Sequence, residues 1–185
     1  MDVPMNDEYL PKKLVVIFSE EQIARRIAEL GQEISRFYHH RPLTLVAIAN
    51  GGLFFCADLA RAIKLPLQID VIAAGSYHND RAGDELVVRS KLKLDPRGRD
   101  LLLVDEVLDT GRTLRILAEQ LRNLGAASVR TVVAVEKSRE RPDGLAGADW
   151  RGFLAPDRYL VGYGLDSRER FRNLPCIAML PEELR

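Results

Sequence analysis

Cysteine is scarce: two in 185 residues, Cys56 and Cys176, far apart and without paired spacing. That disfavours both a disulfide framework and a cysteine-rich zinc site. Neither sign of charge is in excess. The chain has 27 Lys and Arg against 27 Asp and Glu, a formal net charge of zero, whereas a dedicated nucleic-acid binder usually carries a basic surplus. No apolar run is long enough to cross a membrane, and no secretory leader pattern is visible. Internal repeats and low-complexity segments are also lacking. The expectation is a soluble cytoplasmic protein. With 46% hydrophobic residues, residues 1–185 are expected to form one domain around a proper core.

What is present concentrates in one stretch. Leu101-Leu102-Leu103-Val104 runs into the adjacent carboxylates Asp105 and Glu106; Val107-Leu108 follows, then Asp109-Thr110-Gly111-Arg112-Thr113. From Leu114 to Leu121 the apolar positions recur at helical spacing. The order is buried strand, acidic edge, tight loop, helix start. Backbone N–H groups at a helix N-terminus lack internal partners and bind phosphate. Thr110, Gly111, Arg112 and Thr113 supply such groups, with two hydroxyls and a cation beside them. Asp105 and Glu106 stand one step back, where carboxylates accept hydrogen bonds from a sugar diol or hold hydrated Mg²⁺. A phosphorylated sugar suits both ends.

Other readings of the stretch remain open. Val107-Leu108-Asp109-Thr110-Gly111 also matches the hydrophobic–Asp-Thr-Gly signature of aspartic proteases, which place it among strands and not ahead of a helix. Asp109 could simply cap the helix, with the two acids on a solvated strand end. A Walker loop would need glycine where Glu106 stands. Gly162-Tyr163-Gly164 lacks the third glycine of a dinucleotide fingerprint, because Ser167 stands there.

Residues 1–13 are polar and read as an arm or a short added strand; Leu14 to Phe18 is a brief apolar run. Ser19-Glu20-Glu21-Gln22 forms a capping-box pattern. Ile23, Ile27, Leu30, Ile34 and Phe37 follow at helical spacing, which predicts one buried face; His39 and His40 end that helix. Leu43 to Ala49 suits a buried strand. Asn50-Gly51-Gly52 alone would signal a hairpin. Leu53, Cys56, Ala60 and Ile63 fall on one helical face, however, so a strand–glycine turn–helix unit is expected, and Asn50 to Gly52 becomes a second loop for backbone contact with phosphate.

Leu67 to Ala74 reads as a strand, and Gly75 to Asp84 as a long polar loop. Asp95 to Asp100 is a turn, and Gly125 a helix C-cap. Val129 to Val135 is a strand ending in Glu136-Lys137-Ser138, and ligands of parallel sheets gather at such ends. Arg139 to Ala148 reads as a loop, with Trp150 and Phe153 packing its far side. Strand–helix alternation implies an α/β domain with a mostly parallel sheet flanked by helices.

Leu101 to Thr113 resembles the phosphoribosyl-diphosphate motif of type I phosphoribosyltransferases. Ala155-Pro156-Asp157-Arg158-Tyr159-Leu160-Val161-Gly162-Tyr163-Gly164-Leu165-Asp166 and Glu169-Arg170-Phe171-Arg172-Asn173-Leu174-Pro175 resemble the closing segment of the hypoxanthine-guanine members. The resemblance runs from the first helix to Pro175. It implies the phosphoribosyltransferase type I fold, with a small hood built from the N-terminal arm, the lid and the C-terminal segment. It also implies a purine salvage transferase that joins hypoxanthine or guanine to 5-phosphoribosyl diphosphate, giving IMP or GMP and diphosphate.

By the same resemblance, Asp109 takes the base's N7 proton or stabilises its transfer. Asp105, Glu106 and Thr110 to Thr113 hold ribose and phosphate. Asn50, Gly51 and Arg172 meet the diphosphate, with a cis peptide between Ala49 and Asn50. Lys137 donates to the 6-oxo group, Tyr159 stacks on the purine, Leu160 offers backbone groups, and Asp166 lies at the purine and Mg²⁺. Asp105 and Glu106 are further metal residues, and Ser76-Tyr77 belongs to a mobile lid. The implied partners are a purine base and the sugar diphosphate, not nucleic acid or membrane, in a homodimer or homotetramer. The chain departs from the pattern in having Asn50 where lysine is common, Asp105-Glu106 in reversed order, Tyr159 for phenylalanine and Ser167 for tyrosine. A regulatory protein of the same fold, binding the sugar diphosphate without transferase activity, is the alternative; the Lys137–Tyr159–Asp166 set favours the enzyme.

Overall fold

The computed structural model describes residues 14–77, 85–88, 90–141 and 146–184. The expected arm, 1–13, and most of the expected lid, 78–84, lie outside the described residues. Nine strands and three α-helices are described: β1 Val15–Phe18, α1 Glu20–Phe37, β2 Leu43–Ala49, α2 Gly52–Ala62, β3 Leu67–Tyr77, β4 Glu85–Val88, β5 Asp100–Leu108, α3 Arg112–Asn123, β6 Ser128–Ser138, β7 Trp150–Pro156, β8 Leu160–Val161 and β9 Ile177–Met179. A 3₁₀ turn, Glu182–Leu184, comes after β9. Among the described residues no helix is long and apolar enough to cross a membrane.

Two sheets organise these elements. The larger has the order β4-β3-β2-β5-β6-β7. Its five strands β3, β2, β5, β6 and β7 are parallel, and β4 runs antiparallel to β3. The central strands are the continuous apolar runs, because a parallel strand covered on both faces has no solvent side to make polar. Leu45, Leu102 and Val104 point into one core with Leu30 and Ile34 of α1 and Phe55 and Leu59 of α2. Val46, Leu101 and Leu103 point into a second core against Leu114, Leu117 and Leu121 of α3. The smaller sheet, β1-β9-β8, is antiparallel and forms the hood.

The capping box at α1 is complete: Ser19 Oγ accepts from Gln22 N, and Gln22 Oε1 accepts from Ser19 N at 2.8 Å. Three expectations shift. Phe37 is exposed, and Tyr38, one residue on, fills the core instead. The Phe37 ring packs edge-on to Trp150 at 5.1 Å, with the Arg130 guanidinium over it at 4.6 Å. On α2 the buried positions are Gly52, Phe55, Cys56 and Leu59, while Leu53 is exposed. Adjacent apolar residues at 53 to 56 make the stripe wide, and the packing against β2 and β5 selects its phase. Finally, Trp150 and Phe153 do not back a loop. They belong to β7, a strand parallel to β6, and Phe153 stacks on Phe18 at 4.1 Å.

Candidate active site

Because β2, β5 and β6 are parallel, their carboxyl ends meet at one edge of the sheet, where open α/β sheets bind ligands. The loop after β2 brings Asn50 and Gly51. The end of β5 brings Asp105 and Glu106, and its loop brings Asp109, Thr110, Gly111 and Thr113. The segment between β8 and β9 brings Asp166, Glu169 and Arg172. All of them line one cavity of about 490 Å³. Arg112 begins α3 with its side chain exposed and is not part of the cavity wall. Ser76 and Tyr77 end β3, where their backbones pair with Leu86 and Glu85.

The Ala49–Asn50 peptide is cis. The two glycines after it let the loop lie against β5. A Cβ on Gly51 would run into the Glu106 carboxylate, and one on Gly52 would come within 2.6 Å of the Val104 carbonyl oxygen. The hood closes from the other side: a Cβ on Gly164 would strike the Gly51 carbonyl oxygen. Gly111, at φ +83°, is the N-cap of α3 and has no side-chain cap bond. Asp109 therefore does not cap the helix, and its carboxylate is available for other work.

That carboxylate is held by two cations. Lys137 Nζ lies 3.0 Å from Asp109 Oδ2, and Arg139 Nη1 lies 2.5 Å from Oδ1. Asp157 stands behind them, 3.8 Å from Lys137 Nζ and 3.7 Å from Arg139 Nε. Partial burial pushes the Asp109 carboxyl up, but the hydrogen bonds and charges of Lys137 and Arg139 outweigh it and hold the group below the usual carboxylate range. Asp105 goes the other way. It is buried, with Oδ1 accepting from Glu106 N at 3.0 Å; burial first, then the neighbouring Glu106 charge, raise it well above an ordinary carboxylate.

Arg172 ties the hood segment together. It donates to the Gly164 carbonyl at 2.7 Å and pairs with Asp166 at 3.0 Å and Glu169 at 3.1 Å. Asp166 Oδ2 also accepts from Glu169 N at 2.8 Å. Tyr163, Arg168, Glu169 and Phe171 all have positive φ, a costly cluster for side-chain-bearing residues and one that tends to mark functional segments.

Against known families, residues 16–168 match the phosphoribosyl transferase domain. The chain belongs to the phosphoribosyltransferase family. It is 36% identical over 166 residues to the hypoxanthine-guanine phosphoribosyltransferase of Bacillus subtilis, covering 89% of this chain and 92% of that one. A hypoxanthine phosphoribosyltransferase structure from Staphylococcus aureus superposes with a TM-score of 0.85 at 34% identity, covering 91% of each chain. The bifunctional protein TilS/HprT of Listeria innocua is 35% identical over 170 residues, and this chain spans only 26% of its length.

Within this phosphoribosyltransferase, Tyr159 and Leu160 are not part of the cavity wall. Leu160 is buried in β8 opposite Met179, and the Tyr159 carbonyl accepts from Leu180 N. Arg139, Asp157 and Glu169 were not singled out from sequence. The available signal was a pair of cations, Lys137 and Arg139, two residues apart where β6 ends.

Among the described residues no three His, Cys, Asp or Glu side chains gather closely enough to hold a metal. Asp105, Glu106 and Asp166 thus do not form a ready-made three-carboxylate site. The cavity's all-oxygen donors nevertheless suit Mg²⁺, which is commonly bound by one or two carboxylates together with substrate phosphates. Five carboxylates line the cavity against the single guanidinium of Arg172, so a divalent cation fits its electrostatics.

Proposed function

We propose that the protein transfers the phosphoribosyl group of 5-phosphoribosyl diphosphate to hypoxanthine or guanine, forming IMP or GMP and releasing diphosphate. Residues 1–185 serve as one catalytic domain in this reading. The observation that carries it is the Asp109–Lys137 pair, set at 3.0 Å beside the helix-start turn of residues 110–113. An acceptor and a cation at that spacing match the two ends of a 6-oxopurine's reactive edge: N7–H toward the carboxylate, the 6-oxo group toward the ammonium. The names of the relatives point the same way.

The sugar phosphate would sit on the backbone and hydroxyls of Thr110, Gly111 and Thr113 at the start of α3, with Arg112 adding charge from outside the wall. Asp105 and Glu106 would accept the ribose hydroxyls. Asn50, Gly51 and Arg172 would face the diphosphate. The bond from the anomeric carbon to diphosphate breaks with oxocarbenium-like character at the sugar, and the base nitrogen forms the new bond as the base loses its proton. Asp109 accepts the N7 proton or stabilises its transfer. Tyr159 stacks on the base, Leu160 presents backbone groups to its edge, and Ser76 and Tyr77 help exclude water. Asp166, with Asp105 and Glu106, would hold Mg²⁺, and the bound ion would supply positive charge to offset that of the leaving diphosphate. A homodimer or homotetramer is supported by the apolar Leu53 and Phe54 of α2 and Ile69 and Val71 of β3, which are all exposed.

Incubation with Mg²⁺, 5-phosphoribosyl diphosphate and each of hypoxanthine, guanine, xanthine, adenine and uracil tests this directly. Nucleotide is expected from hypoxanthine and guanine. Binding of the sugar diphosphate with no nucleotide from any 6-oxopurine would leave the regulatory alternative in its place.

A further inference from the structure

Lys137 is needed in two places. In the structure it pairs with Asp109 Oδ2. In the purine transfer, on which the role of Arg139 argued below rests, it turns to the 6-oxo group of the base. Asp109 must then accept the base N–H with one of its cations gone. A carboxylate released from one side swings about its χ2 bond, and a displacement of about 1 Å at a reacting group costs on the order of 100-fold in rate.

A second cation is already in place on the other oxygen. Arg139 Nη1 is 2.5 Å from Asp109 Oδ1, so the two carboxylate oxygens have one partner each. The backbone sets this up: Arg139 N–H donates to the Lys137 carbonyl at 3.0 Å, a tight bend at the end of β6 that keeps both side chains on Asp109. Asp157 steadies Arg139 from behind at 3.7 Å. The chain beyond is anchored by Glu136, a buried carboxylate that accepts from Arg141 and from Arg151.

We propose that Arg139 is a positioning residue for the transfer step. It grips Asp109 through Oδ1 while Lys137 leaves Oδ2 for the purine 6-oxo group, so that the vacated Oδ2 meets the base N–H in a fixed orientation. Arg139 itself touches neither base nor sugar.

The test is steady-state kinetics on the full chain with hypoxanthine, 5-phosphoribosyl diphosphate and Mg²⁺, comparing wild type with Arg139→Met, Arg139→Gln and Arg139→Lys. Each variant is first checked by thermal unfolding. Both neutral replacements are expected to lower kcat at least about tenfold while KM for the sugar diphosphate stays within about twofold, and Arg139→Lys should restore most of the loss. Wild-type kcat in Arg139→Met and Arg139→Gln, or a loss that lysine does not relieve, overturns the positioning role alone. A wild-type protein that makes no nucleotide overturns the transferase reading and this role with it.

Discussion

Asp105 and Asp109 lie four residues apart at the end of one strand, and their surroundings move them in opposite directions. Asp109 is held below its unfolded value, so the stability its ion pairs contribute is fully present above about pH 4 and is lost as pH falls through the folded value. Asp105 is raised, so its ionised form is held at a cost: stability is full below the unfolded value and is lost as pH rises through the folded one. Asp105→Asn keeps an oxygen for the Glu106 N–H and removes the ionisable carboxyl whose burial costs stability. It should raise the melting temperature at neutral pH by about 2–4 °C, the shift of about 1 kcal/mol in a domain of this size, while lowering kcat/KM. A lower melting temperature would show that burial of the Asp105 carboxyl does not cost stability at neutral pH. Asp109→Asn should leave equilibrium binding of the sugar diphosphate largely intact and lower the single-turnover rate about 10²-fold or more. Equal turnover would remove Asp109 from the mechanism.

Among the elements, α1 is the clearest case of local code. Its capping box satisfies two backbone donors, and Ile23, Ile27, Leu30 and Ile34 form its buried stripe. Ser19→Ala should cost about 1 kcal/mol, read as a drop of about 2–4 °C in thermal unfolding, with activity unchanged because the cap lies away from the cavity. α1, β2 and β5 were legible in the sequence because each carries one period or one unbroken run. β7 was not. Trp150 to Pro156 includes Gly152, where a Cβ would come within 2.5 Å of the Ala134 carbonyl oxygen, and leaves Leu154 exposed. Such an edge strand shows neither alternation nor a continuous apolar run. The site divides the same way. The acidic loop was legible because its residues are contiguous. The grip of Arg139 on Asp109 was not, since it depends on the β5–β6 register that sets Leu108 opposite Glu136.

At the scale of the molecule, the cavity lies between the main sheet and the hood, which share a core through Phe55, Tyr163 and Ile177. Gly164 of the hood rests on the Gly51 carbonyl, and Gly51 in turn lies against the Glu106 carboxylate. The Tyr163 hydroxyl donates to Asp58 of α2 at 2.8 Å. A ligand that contacts both Gly51 and Arg172 therefore adds to the same junction that Gly164 closes. Sugar diphosphate with Mg²⁺ at about 100 times its Kd should stabilise the protein by about 2.7 kcal/mol, seen as a rise of about 5–10 °C in melting temperature. Inorganic diphosphate without Mg²⁺ should give much less, because the cavity wall has five carboxylates and one guanidinium. Gly164→Ala tests the junction itself. Gly164 has φ +97°, where a side chain is strained, and the added methyl meets the Gly51 carbonyl. The hood must lift to make room, so the ligand-free protein should melt earlier and the ligand-induced rise should shrink. If the ligand-induced rise stays at the wild-type value, the hood does not contribute to sugar-diphosphate binding, and Arg172 has no place in the diphosphate site.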